Sequence, residues 1–185
     1  MISQFSRRSL LRLAMLSGSA MLAACAVTQN GSITTVTLDT ARIVTDGRAI
    51  VGALDGVLAI PAIATLLGAN LVTAEAALHA ADLALSEIQT LTGGAVTVSI
   101  DTARVQTLVL SLLGDVQSVL GLLQGALPSL PAALSVVATE LSTAIDAVRT
   151  LIPLVQLAAG LVGSAPAAPS MTEAQALAIA ARAAR

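Results

Sequence analysis

The chain has 185 residues, with nine basic side chains (every one an arginine), eleven carboxylates and one histidine. Phe5 is its only aromatic residue, so it offers no platform for stacking bases or sugars, and its few arginines form no basic stripe of the kind that tracks phosphates. A nucleic-acid partner is excluded on both counts. Cys25 is the only cysteine, which rules out an internal disulfide.

The first segment is basic at Arg7, Arg8 and Arg12 and then apolar from about Leu13 to Ala24, with Ser17, Gly18 and Ser19 in the middle. A hydrocarbon core needs roughly 20 apolar residues, and this run is shorter. A basic start, a short apolar stretch and small residues at its end instead make a secretory signal. Leu22, Ala23, Ala24 and Cys25 resemble the lipobox of bacterial lipoprotein precursors, an aliphatic residue and two small ones before a cysteine. The resemblance implies that Cys25 receives diacylglycerol, that the chain is cut before it, and that a bilayer holds the mature protein through its acyl chains. Ala24-Cys25-Ala26 also fits an ordinary A-x-A cleavage site, after which no cysteine would remain. Ser6-Arg7-Arg8-Ser9-Leu10-Leu11 is similar to the twin-arginine export motif, which carries folded proteins across the inner membrane; a plain basic n-region of the general secretory route reads the same residues. In related lipoproteins an aspartate after the cysteine favours the inner membrane, and Ala26 is not one. The expected location is therefore the bacterial cell envelope, facing the periplasm, with the outer membrane preferred. Asn30-Gly31-Ser32 matches a glycosylation sequon, which a bacterial lipobox five residues earlier makes meaningless.

Without residues 1–24 the chain keeps six arginines against all eleven carboxylates, a formal charge of −5. What remains is long enough for one domain with a real core. Residues 25–36 form the lipidated N-terminus and tether, and 37–162 the domain.

An internal repeat organises that domain. Residues 35–60, "TVTLDTARIVTDGRAIVGALDGVLAI", align without gaps on 97–122, "TVSIDTARVQTLVLSLLGDVQSVLGL", with ten of 26 positions identical, among them the whole Asp-Thr-Ala-Arg run. The repeat length is about 62 residues, giving copies at about 35–94 and 97–162. Each copy opens on alternating β-branched residues (Thr35 to Leu38, Val96 to Ile100), the pattern of a short strand. Thr37 and Ser99 then suit N-cap positions, with Asp39 and Asp101 in the first helical turn.

Amphipathic helices follow. In the first copy Arg42, Thr45, Asp46 and Asp55 are the polar positions and Ile43, Ile50, Leu54 and Val57 the apolar ones; in the second copy Arg104, Thr107, Ser111, Asp115 and Ser118 draw one polar stripe opposite Val105, Leu108, Leu112, Leu113, Val116 and Leu120. Pro61 and Pro128 limit the first helix of each copy. Second helices are expected at about Asn70 to Leu91 and Pro131 to Ile152, with Leu154 to Leu161 a separate or kinked turn beyond Pro153. Two such hairpins make a mainly α fold, a four-helix bundle. Residues 163–169, "GSAPAAP", read as a linker, and 170–185 as an extra C-terminal helix, loosely packed, with a Ser170/Glu173 capping box and Arg182 and Arg185 at its negative pole.

Chemistry-bearing patterns are few. Glu75, His79 and Asp82 share one helix face, and a carboxylate–imidazole–carboxylate set could hold a metal. A solvated stripe with an i,i+4 pair explains the same residues, and three ligands on one face cannot surround an ion alone. A serine hydrolase would need His79 beside a G-x-S-x-G nucleophile, which is absent, as is any phosphate loop. Gly52-x-x-x-Gly56 and Gly121-x-x-x-Gly125 are small-xxx-small patterns, read either as close helix contacts or as dimerisation or membrane insertion. Ile50 to Ala69 and Val105 to Leu123 each carry a single charge, Asp55 and Asp115, so membrane insertion competes with a water-soluble fold; buried charges and the missing basic flanks count against it.

The expected function is non-catalytic: a lipid-anchored helical module binding an envelope protein, an apolar ligand or the envelope itself, with self-association open and no cofactor. A membrane-embedded helical oligomer or pore is the alternative, and an enzyme using His79 the third reading.

Overall fold

The computed structural model describes residues 27–30, 33–36, 38–92, 97–98, 102–161 and 171–185. Arg7, Arg8, Leu22, Ala23, Ala24, Cys25, Thr37, Ser99, Asp101, the linker 163–169 and Ser170 lie outside them, as do Gly31 and Ser32 of the sequon.

Among the described residues the protein is mainly helical. Two short strands, β1 (Val27–Asn30) and β2 (Ile33–Val36), pair antiparallel. A third, β3 (Leu38–Asp39), leads into α1 (Thr40–Leu58), α2 (Pro61–Leu67) and α3 (Asn70–Thr92). After β4 (Thr97–Val98) come α4 (Thr102–Ala126), two 3-10 turns at Leu127–Ser129 and Ala132–Leu134, α5 (Ser135–Ala158) and α6 (Glu173–Ala183).

Strands form at both repeat starts: Thr35 and Val36 belong to β2, which pairs with β1, while Leu38 lies opposite Val98 and Asp39 opposite Thr97. This pairing delays α1. Leu38 and Asp39 are held extended, so the helix begins at Thr40 and Asp39 caps it, its carboxylate accepting from the Arg42 backbone N–H at 3.0 Å. Asp39 is therefore the N-cap, not a first-turn residue after a Thr37 cap.

Proline acts differently at each site. Ile60 is extended, the conformation favoured before proline, and Pro61 opens α2 at a position whose N–H needs no partner. The chain turns by 83° between α1 and α2. Gly68, at φ +52°, ends α2 in a conformation other residues avoid. Pro128 sits in a 3-10 turn just past α4. Pro153, by contrast, lies inside α5, which runs on to Ala158 without the expected break. An interior proline costs about 3 kcal/mol, and here Leu151, Val155 and Ala158, all fully buried, hold the helix on both sides of it.

α1 lies at the centre. It packs against α3, α5 and α6, while α4 packs mainly on α3 and meets α5 over only a short stretch. The most extensive interface joins α3 to α4 across the repeat boundary, and α1 packs about equally on α3 of its own repeat and on α5 of the other. In α4 the expected division holds: Val105, Leu112, Leu113, Val116 and Leu120 are buried, Leu108 is half-buried, and Arg104, Thr107, Ser111 and Ser118 are exposed, with Asp115 intermediate.

The C-terminal helix is not loosely packed. Ala176 and Ala180 are fully buried against the bundle. Its capping box uses Thr172 and Gln175, two residues on from the expected Ser170/Glu173 pair. Small residues let it in. A Cβ on Gly56 would fall 1.8 Å from the Ala183 carbonyl oxygen, so α6 rests backbone-to-backbone on α1 there. Gly52-x-x-x-Gly56 is accordingly a helix-contact motif inside the bundle, whereas Gly121 and Gly125 have nothing within 4 Å of where a Cβ would be.

Two glycine substitutions separate propensity from packing. Alanine in an open helix position gains up to about 1 kcal/mol over glycine. Gly114→Ala, with nothing within 4 Å, should follow that rule and leave the melting temperature unchanged or raised. Gly56→Ala should lower it and speed amide exchange in Glu173–Ala183, because the added methyl displaces α6.

Candidate functional site

Two polar clusters stand out, one open and one closed, both built on α1.

The open cluster is a groove of about 400 Å³ between α1 and α3, lined by Arg48, Gly52, Asp55, Leu78 and the three residues singled out above, Glu75, His79 and Asp82. The two helices run antiparallel here, so Asp55 faces the Glu75 end while the Arg48 guanidinium donates to Gln89 Oε1 near the other. The structure therefore adds Arg48 and Asp55 to the expected trio. All five charged or imidazole side chains are exposed. Among the described residues no group of three or more His, Cys, Asp or Glu side chains is placed to hold a metal. A cluster in water, with no buried base beside a nucleophile, lacks the features that tune side chains for catalysis; it can offer a ligand solvated charge and little more.

The closed cluster was not anticipated. Asp46 is 1% exposed, a carboxylate sunk into the helix interface one turn beyond Arg42. Its Oδ2 lies 3.5 Å from Arg42 Nε, at ion-pair distance, and neither atom has a hydrogen bond. The other end of the guanidinium, Nη2, donates to Glu173 Oε2 at the start of α6. One arginine thus joins a buried carboxylate on its own helix to a carboxylate 131 residues away, while its backbone N–H engages Asp39. Burial pushes the Asp46 carboxyl up to about 6 from 3.8, with the Glu173 charge adding to the rise and Arg42 opposing it.

The second repeat lacks this arrangement. Arg104, the counterpart of Arg42, pairs with Glu87 of α3 at the surface. The position equivalent to Asp46 is Leu108, and no helix lies over Gly114 as α6 lies over Gly52 and Gly56. The buried carboxylate accompanies the docked helix. The only hint in the sequence is that Arg42 and Asp46 stand four apart in a copy whose counterpart has an aliphatic residue there; nothing local points to Glu173.

No family model, curated protein or solved structure matches the chain.

The Asp46 shift has a definite sign. The native carboxyl keeps its proton up to about pH 6, whereas the unfolded one releases it near 3.8, so between those values the native state binds the extra proton. Its contribution to stability therefore falls as pH rises through that window and stays low above it. Asp46→Asn carries no such titration. The variant should match the natural chain near pH 4 and exceed it in stability by about 1–3 kcal/mol at pH 7.5, read from paired melts across the range.

Proposed function

We propose that this protein is a non-catalytic lipoprotein of the bacterial cell envelope: a helical domain held at a membrane by acyl chains on Cys25, serving as a binding or structural module. The observation that carries the reading is the run Leu22-Ala23-Ala24-Cys25 at the end of a short apolar segment that begins with Arg7-Arg8. The domain behind it has the surface of a water-facing body. The outward face of α4 presents Arg104, Thr107, Ser111, Gln117 and Ser118, and that of α5 presents Glu140, Ser142, Thr143, Asp146 and Arg149. The exposed, solvated groove supports binding over catalysis.

A duplicated hairpin bundle is part of the same proposal. Positions 37 and 99 are equivalent in the repeat, and the register of β3 on β4 is centred on that pair of positions, as a two-fold relation between the copies requires. The α3–α4 and α1–α5 interfaces would be mates under the same relation, whereas the α1–α3 interface has only a slight counterpart between α4 and α5.

The second reading is an embedded helical oligomer. Thr102–Ser129 and Ala132–Ala158 are each long and apolar enough to cross a bilayer. Many of their surface hydroxyls also bond back to their own helix, as Thr107 does to the Ala103 carbonyl and Ser142 to that of Ala138, which lowers the cost of leaving water. The charges on the exposed face of α5 weigh the other way.

Labelled palmitate fed to producing cells should enter this protein and disappear from Cys25→Ala; label that persists in the variant would sink the anchor. Replacing Arg7 and Arg8 by lysine keeps the segment basic. If the pair is read as a twin-arginine signal, export should stop, and unchanged processing would assign the general secretory route.

A further inference from the structure

The structure brings two uncharged segments of the sequence to one end of the bundle. Residues 56–74 and 116–139 contain no Asp, Glu, Arg, Lys or His. The first holds the end of α1, all of α2 and the start of α3; the second holds the end of α4, both 3-10 turns and the start of α5. They meet at a shallow groove of about 540 Å³ lined by Pro61, Ala62, Leu66, Leu130, Pro131 and Leu134, together with the hydroxyls of Thr65 and Ser129. Around it Val72 and Val136 stand 70% and 69% exposed, two of the most exposed large apolar side chains among the described residues.

We propose that this uncharged end is a phospholipid-contacting surface, which seats on the interfacial region of a neutral bilayer without crossing it. The proposal rests on the reading of the protein as lipid-anchored, and supplies that protein with a second, protein-borne contact to membrane.

Three features favour lipid over a protein partner. First, the lining of the cap is aliphatic and proline-rich and carries no charge. Lipid acyl chains need no directional partner, and apolar area alone drives the contact. Second, α2 turns 83° from α1, so it lies across the bundle end, in the attitude of a helix resting in an interface plane. Third, basic side chains reach the rim from elsewhere in the sequence. The Ala183 and Ala184 backbone rests on Gly56, two residues before α1 ends, which places Arg182 and Arg185 beside the cap. Both are exposed and make no ion pair among the described residues, and phosphate groups of a bilayer would suit them. The acidic Asp55, Glu75 and Glu140 immediately flank the uncharged runs in sequence and bound the cap; set against the two arginines, they favour a zwitterionic surface over an anionic one. The chain enters α1 at Thr40, about 28 Å away along that 19-residue helix, so the cap is a contact separate from the N-terminal anchor.

Acylation of Cys25 would leave the natural protein without a free thiol, so single cysteines can report local environment in the intact, lipid-bearing chain. Leu130→Cys and Val136→Cys at the cap, with Thr90→Cys and Ser142→Cys on exposed helix flanks, are labelled with a polarity-sensitive nitrobenzoxadiazole probe. Each is then reconstituted in phosphatidylcholine vesicles containing a nitroxide phospholipid. Quenching by the nitroxide should be at least threefold stronger at 130 and 136 than at 90 and 142. Equal, weak quenching at all four sites would overturn the proposal. Strong quenching at all four would overturn it too, in favour of an embedded domain, and cap probes shielded from both nitroxide lipid and aqueous iodide would mean that protein covers the cap. Probe taken up by the chain without an added cysteine would tell against the Cys25 anchor alone, and the cap readings, taken as differences from that chain, would stand.

Discussion

How closely other helices can approach α1 determines the rest of the structure. The described core contains no aromatic side chain, so its volume is filled by Leu, Ile, Val and Ala, and gaps between helices have to close by approach of the backbones. α1 permits that on several sides. A Cβ at Gly47 would fall 2.5 Å from Leu85 Cδ2, which is the contact that seats α3; at Gly56 it would strike the Ala183 carbonyl, the contact that seats α6. Ala53 between them is fully buried. Helix α4, whose Gly114, Gly121 and Gly125 face open space, has no such neighbour on that side.

The docked helix accounts for the one buried charge system. Ala176, Ala180 and Ala183 let α6 approach closely, and Met171, Leu177 and Ile179 pack partly buried against the core. The Arg42–Glu173 pair adds direction. It fixes where α6 starts, as the contact of Ala183 with Gly56 fixes where it ends. Asp46 then sits beneath a guanidinium that it shares; burial, and after it the Glu173 charge, raises its pKa, while Arg42 opposes the rise. A buried ion pair of this type is a device for specifying one arrangement more than for adding stability.

The pattern of apolar residues carried much of this. The polar stripe of α4, the extent of α3 and the small-residue seat on α1 are local properties, and periodicity or spacing reveals them. What stayed hidden depends on residues far apart in sequence. Asp39 becomes a cap because β4 holds its neighbour extended; Pro153 stays in a helix because buried residues flank it; Thr172 replaces Ser170 as the cap of α6; and Glu173 turns from that expected box to Arg42. Of the trio Glu75, His79 and Asp82, the shared face was legible, and its openness to water was not. The uncharged end was visible only as two separate runs, and its arginine rim comes from a helix at the other end of the chain.

An aliphatic domain with charged outer faces and one uncharged end is suited to lie against a membrane while remaining a water-soluble body, and Cys25 lipidation would keep it there. The central claim is that the domain needs water on its flanks. The most direct measurement is the state of the chain beginning at Ala26, which lacks signal and acyl chains alike. It should stay in the supernatant without detergent, show a helical far-UV circular dichroism spectrum and melt in one cooperative step. Recovery only in the membrane pellet, with release requiring detergent, would contradict the account and point to an embedded domain.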